Sequence, residues 1–310
     1  MSGTDGTTHG EAWRDLWVTL RDGLRLYGRH YPAPGSRLKP VVCLPGLTRN
    51  SRDFHDIALA LSQGEAARSV YTLDLRGRGL SDSDSDWRNY AVPIEMLDVQ
   101  EFLTMLDLDK PTILGTSRGG LIAMVLAAAQ PNALGAVILN DIGPVIDRDG
   151  LIRIKAYVGK IPVPSNWEDA ARMVADMSRK AFPAVPDAQW AEVARQWFND
   201  INGKPAPGYD AKLDRSFSLA DGPVPELWPQ FKALSGVPML VIRGENSDIL
   251  SAATVQQMRA RHPQCASMTV AGQGHAPLLK DITSISAVAQ FLADVDAGQP
   301  VAGRDLTAAA

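Results

Sequence analysis

The chain reads as an α/β protein: one mostly parallel, eight-stranded sheet with helices on both faces and an inserted helical lid. Three observations predict this. Eight short apolar runs alternate with helical patterns over about residues 15–295, and such alternation calls for a largely parallel sheet with covering helices. The runs at 40–44, 112–115, 136–140 and 238–242 are apolar on consecutive residues, as strands buried on both faces must be. The alternation stops between about Pro144 and Pro238, where helical patterns alone remain.

Taken in order, residues 1–12 are small, polar and aperiodic, which predicts a loose end. The runs near 16–20 and 24–31 alternate in polarity and are separated by "RDG", a hairpin signal that predicts an antiparallel edge. "PVVCLPG", "SVYTLDL", "PTILG" and "AVILNDIGP" follow as strands, completing the first core segment, residues 15–143. The lid, 144–236, is expected to be all helical, with helices over 165–180 and 187–199 and breaks at "GKPAPG" and "DGPVPE". It holds Trp167, Trp190, Trp197 and Trp228. Most of these aromatics should form the lid's own core, and Trp197 is the one assigned to substrate binding. "VPMLVIRG" and "SMTVAG" belong to the second core segment, 237–295, and "AGQPVAGRDLTAAA" at 297–310 reads as a second loose tail.

Bulk properties narrow the function. The 310 residues carry 31 basic and 35 acidic side chains for a net charge of -4, with no excess of positive charge to neutralise a phosphate backbone, so nucleic acid is not an expected partner. No basic n-region with an apolar h-region opens the chain, and no stretch of about 18 apolar residues runs through it; the expectation is a soluble, cytoplasmic protein without a membrane partner. Cys43 and Cys265 make neither a disulfide framework nor a metal spacing. Asp82, Asp84 and Asp86 match the first ligands of a calcium loop, but Trp87 stands where that loop needs glycine and Pro93 where it needs glutamate.

The chemistry centres on "PTILGTSRGG". Gly115, Ser117 and Gly119 form G-x-S-x-G between a strand and a helix, the context that presents a serine hydroxyl on a sharp turn. The overlapping G-x-x-x-x-G is no phosphate loop, because Leu121 and Ile122 replace the required Lys and Ser/Thr. A serine needs a base. His9, His30, His55 and His262 lie in tail, surface or helix-end positions, whereas His275 follows a late strand in a Gly-flanked loop, "GQGHAP". That loop is not a dinucleotide site either, since Pro277 follows and no acidic residue stands about 20 positions on. For the carboxylate that orients the imidazole, Asp248 after the strand "PMLVI" is the expected choice. Asp141 in "LNDIGP" and Glu245 are its competitors. An oxyanion would meet the amide of Arg118 at the helix start and that of Leu47 after Pro45-Gly46.

With "GTSRGG", "LDLRGRGLSD", "LPGLTRNSRDF", "RGENSDIL" and "GQGHAP" in this order and spacing, the chain resembles the α/β-hydrolase superfamily, in its branch of small bacterial esterases, lactonases and carbon-carbon bond hydrolases. The likeness covers about residues 15–295. It implies Ser117 as nucleophile, His275 as base, Asp248 as acid, and Leu47 and Arg118 as oxyanion amides, in that fold's order of Ser, Asp, His. It also implies hydrolysis of a small-molecule carboxylic ester or lactone without metal or organic cofactor. The alternatives are cleavage of a carbon-carbon bond in a dienoic or β-diketone substrate, and a ligand receptor on the same fold. A serine at the elbow argues against the aspartyl-ester chemistry of haloalkane dehalogenases and epoxide hydrolases. Pro45 replaces the histidine common in relatives, and Arg118 replaces an apolar residue; its guanidinium would meet either a substrate carboxylate or a lid or loop acid. The sequence is compatible with a homodimer.

Overall fold

The computed structural model describes residues 8–9, 12–216 and 224–307. Its sheet begins with β1 (Thr8–His9), β2 (Trp13–Thr19) and β3 (Arg25–Tyr31). These pair antiparallel with one another, and β3 pairs antiparallel with β5 (Val70–Leu73). From β5 onward every neighbour is parallel: β4 (Val41–Leu44), β6 (Thr112–Thr116), β7 (Ala136–Asn140), β10 (Met239–Gly244) and β11 (Cys265–Val270). The eight expected strands are therefore present, in a mostly parallel sheet, with the two-residue β1 added at the antiparallel edge.

Consecutive apolar residues separate onto the two faces. Val42, Leu44, Ile113, Val137, Leu139 and Val241 join one core cluster, while Val41, Cys43, Leu114, Ala136, Ile138 and Leu240 join the other. Helices α2 (Val92–Met105), α3 (Arg118–Ala129) and α8 (Ala252–Arg261) cover the first face. Helices α1 (His55–Leu61) and α9 (Ile282–Asp296) cover the second.

The insertion contains α4 (Arg148–Tyr157), α5 (Trp167–Ser178) and α6 (Trp190–Trp197), with its own core of Ala170, Val174, Phe182, Trp190, Val193 and Phe198. It is not all helical: β8 (Asn199–Ile201) and β9 (Lys204–Ala206) form a hairpin. Its turn, Asn202-Gly203, has φ of 54° and 78°, the left-handed pair that Asn-Gly readily adopts. The expected lid boundary at 236 also shifts. Leu227 N donates to Pro144 O at 2.7 Å, closing the neck of the insertion there. Helix α7 (Trp228–Ala233) already belongs to the first face, with Phe231 and Leu234 in its core.

The expected loose ends fare differently. Residues 1–7 and 10–11 lie outside the described residues, but Thr8–His9 pair with β2. The C-terminal segment, expected to be loose over 297–310, is instead packed on the core up to residue 307, and 308–310 lie outside the described residues. Val301 and Leu306 are buried; Gly303 N donates to Cys265 O, and Leu306 N to Ser267 O at 2.8 Å. Two buried apolar side chains, the sheet edge and an Arg304–Asp294 ion pair hold a segment whose composition alone looks unstructured.

Candidate active site

The site lies at the carboxyl ends of β4, β6, β7 and β11, the edge where open α/β sheets hold ligands. Between β6 and α3, Ser117 has φ 51° and ψ -112°, a strained conformation for a residue with a Cβ. Its surroundings hold it there. Ser117 N donates to Asn140 O, and Ser117 O accepts from Gly120 N and Leu121 N. The turn closes this tightly only because of its glycines: a Cβ on Gly115 would lie 2.5 Å from the backbone of Gly119, and one on Gly119 would lie 2.1 Å from Leu44 O.

His275, in the loop after β11, meets the serine as expected: its Nε2 is 2.9 Å from Ser117 Oγ. Its Nδ1 is 2.8 Å from Asp141 Oδ2. The carboxylate against the imidazole is thus Asp141, the competitor, and not Asp248. Asp141 directly follows β7, adopts φ 57° and is fully buried. It also accepts from Gly244 N at 2.8 Å and from Ser247 Oγ at 2.5 Å. The Ser247 hydroxyl, which sequence reasoning missed, accepts in turn from the amides of Ile249 and Leu250. Ser247 thereby ties the loop after β10 to the carboxylate that faces His275.

Asp248 is engaged elsewhere. Arg153 of α4 grips it through Nε at 2.5 Å and Nη2 at 2.8 Å, while its backbone carbonyl accepts from Gly150 N. Burial pushes its carboxyl upward, but the Arg153 hydrogen bonds and charge more than offset this and hold it below the usual carboxylate range. Four residues past the strand, Asp248 has been drawn to the start of the insertion. Glu245, the other competitor, accepts from Gly272 N.

Gly46 brings the chain after β4 beside the elbow: a Cβ placed on it would lie 3.8 Å from Ser117 Cβ. Leu47 follows and lines the same cleft as Ser117 and His275. Among the described residues, no oxygen accepts from the amide of Leu47 or of Arg118. The Arg118 guanidinium turns away from the cleft. Its Nε donates to Glu95 of α2 at 2.5 Å and its Nη2 to Tyr90 O at 2.7 Å, so it meets an acid of the core rather than one of the lid.

The cleft is walled by both parts of the chain. The core contributes Gly46, Leu47, Thr116, Ser117 and His275; the insertion contributes Arg153, Tyr157, Phe182, Trp190 and Trp197. Trp190 is nearly all buried within the insertion's own core. Trp197 is half-buried at the cleft, with the Arg49 guanidinium 4.5 Å from its ring centroid, a cation-π contact. No helix among the described residues is long and apolar enough to cross a membrane, and no group of three or more His, Cys, Asp or Glu there is arranged to hold a metal ion.

An elbow serine at the carboxyl edge of a mostly parallel sheet, faced by a histidine and walled by a mostly helical insertion, is the architecture of a class of hydrolases. Comparison with known proteins makes the assignment specific: residues 41–288 match the model of the Alpha/beta hydrolase family, and the chain belongs to that family. Over 280 residues it is 32% identical to a 3-hydroxybutyrate-oligomer hydrolase of Cupriavidus necator, covering 87% of this chain and 93% of that one. Over 278 residues it is 35% identical to an sn-1-specific diacylglycerol lipase, ABHD11, of Xenopus tropicalis, covering 88% and 80%. Among solved structures, an alpha/beta hydrolase from Novosphingobium aromaticivorans superposes with a TM-score of 0.83 at 38% identity, covering 91% and 98%.

Proposed function

We propose that this hydrolase cleaves a carboxylic ester or lactone through an acyl-enzyme on Ser117. The observation that carries the reading is the hydrogen-bonded chain Ser117 Oγ, His275, Asp141, with spacings of 2.9 and 2.8 Å, opening on the cleft. Each link has a chemical task. His275 Nε2 takes the serine proton as Oγ attacks the acyl carbon, and buried Asp141 holds the Nδ1 proton and stabilises the imidazolium. The tetrahedral oxyanion faces the amides of Leu47 and Arg118, whose donors are not committed elsewhere in the described residues. Collapse releases the alcohol, which takes the proton from His275. Water, deprotonated by the same nitrogen, then attacks the acyl carbon and frees the acid and Ser117.

The apolar part of the substrate rests against Trp197, Met177, Phe182 and Leu278, which share the cleft with the serine. A 3-hydroxybutyrate oligomer and a diacylglycerol, the substrates in the relatives' names, are both esters, which supports the same bond type here. The test is a hydrolysis screen over p-nitrophenyl esters of graded acyl length, lactones and β-diketones, with Ser117→Ala as blank. The reading expects ester or lactone turnover that the blank lacks by several orders of magnitude. Turnover confined to β-diketones, or ester turnover within about tenfold in the blank, overturns it.

A further inference from the structure

The side chains of Arg78, Glu95 and Arg118 are not part of the hydrogen-bonded chain at Ser117, yet they connect the two segments that would hold its oxyanion. Glu95 is fully buried on α2 and lies between two guanidiniums: its Oε2 accepts from Arg118 Nε at 2.5 Å, and its Oε1 is 2.6 Å from Arg78 Nη1. Arg78, also fully buried, donates through Nε to the carbonyl of Leu47 at 2.9 Å and through Nη1 to the carbonyl of Arg76 at 2.6 Å. The carbonyl of Tyr90 accepts from Arg118 Nη2, and the Tyr90 ring lies 5.5 Å from the Arg78 guanidinium carbon. A continuous path thus runs from Leu47 through Arg78 and Glu95 to Arg118.

We infer that Arg78, Glu95 and the Arg118 side chain are positioning residues that brace the two amides of the oxyanion hole, Leu47 on one loop and Arg118 on the other, at a fixed separation. The inference rests on the ester-hydrolysis reading above. Three physical points support it. A buried charge is retained only where it is paired, and here one carboxylate lies against two cations, hydrogen-bonded to Arg118 and in ion-pair contact with Arg78. Burial pushes the Glu95 carboxyl up, but the charges of Arg78 and Arg118 hold it below the usual range, so it is ionised at neutral pH. Oxyanion stabilisation depends on donors fixed before the charge develops, and the Leu47 loop has no strand or helix of its own to fix it.

The contacts at either end are specific. Arg78 reaches Leu47 through that residue's own carbonyl, which is joined to its amide nitrogen through a single Cα. Arg118 supplies the other amide from its own backbone, so its side chain can be changed while that donor remains. The insertion touches this brace as well: the backbone of Arg78 forms a β-bridge with Tyr209, and the Tyr90 hydroxyl donates to Asp210 at 2.6 Å.

The test compares Glu95→Gln and Arg118→Met with wild type in three readouts: kcat and KM for a p-nitrophenyl ester, affinity for an aryl trifluoromethyl ketone, and Tm. The ketone forms a hemiketal with the serine and places a real oxyanion in the hole, whereas ground-state ester binding does not. Loss of bracing predicts kcat lower by about 10- to 100-fold, ketone affinity weaker by a similar factor, and KM within about threefold. Arg118→Lys, which keeps a cation beside Glu95, should recover part of the loss. A purely structural role would lower Tm and leave kcat and ketone affinity at wild-type values well below Tm, and that result overturns the inference. If Glu95→Gln does not fold, Arg118→Met alone decides, because its backbone donor is intact. A wild-type protein that neither turns over the ester nor binds the ketone overturns the ester-hydrolysis reading and the brace with it, an outcome plainly different from failure of the brace alone.

Discussion

Replacing Asp141 and Asp248, each by asparagine, distinguishes the carboxylate that faces His275 from the one that Arg153 holds. Asp141 is fully buried and accepts from Gly244 N, Ser247 Oγ and His275 Nδ1, the last at 2.8 Å. Asp141→Asn keeps the shape but removes the charge that balances the imidazolium and offers an N-H where an acceptor is required. For a triad carboxylate such a change lowers kcat by about 10⁴-fold, equivalent to about 5 kcal/mol of barrier. Asp248 is a different case. Its side chain is 36% exposed and its partner Arg153 is 45% exposed, and pairs of that exposure contribute about 0–1 kcal/mol. His275 Nδ1 faces Asp141 and not Asp248, so Asp248→Asn should lower kcat by a few-fold at most and not by orders of magnitude. The assay is kcat for a p-nitrophenyl ester, with circular dichroism confirming that both variants are folded. A loss beyond about 100-fold in Asp248→Asn, with Asp141→Asn near wild type, would make Asp248 the acid instead.

Three further outcomes follow from the same structure. Trp197→Ala should raise KM about tenfold for esters with long or aromatic acyl groups and leave short acyl esters nearly unchanged, since about 1.4 kcal/mol of apolar contact is removed; equal KM changes across a graded series would count against Trp197 as a substrate wall. Gly119→Ala would place a Cβ 2.1 Å from Leu44 O, and overpacking of a close-packed turn should destabilise by about 3 kcal/mol; an unchanged Tm in thermal melts would show that the turn relaxes freely. Burial, with a smaller contribution from Arg14, lowers the His30 pKa from 6.5 to about 4. The unfolded chain therefore binds the proton first, and stability is lost as pH falls from about 6.5 towards 4. His30→Asn should flatten that part of the Tm against pH curve, and a slope identical to wild type would contradict it.

Much of this architecture can be read from residue order. Strands β4, β6, β7 and β10 are legible because covering both faces demands consecutive apolar residues. The elbow and His275 are legible because their glycine spacing is enforced by close backbone approach. The choice between Asp141 and Asp248 was not, because distance along the chain does not show which loop another element captures. Arg153 lies 95 residues from Asp248, and its grip follows from how α4 seats on the core. One local signal did favour Asp141: it stands directly after its strand, whereas Asp248 lies four residues beyond β10. The C-terminal segment was illegible for a related reason, since the free edge of β11 that it covers is a property of the assembled sheet. The Asn202-Gly203 turn, by contrast, carries an ordinary hairpin signal that a helical reading of the insertion overrides.

Ser117 should carry the acyl group between two half-reactions. A p-nitrophenyl ester with a branched acyl group, such as trimethylacetyl, slows attack by water and lets the intermediate accumulate. Acid quench during turnover, followed by peptide mass spectrometry, should find one acyl group on the segment spanning Thr112–Ala129 and localise it to Ser117. Continued turnover with that serine unmodified, or with the acyl group on another residue, would rule out Ser117 as the acyl carrier.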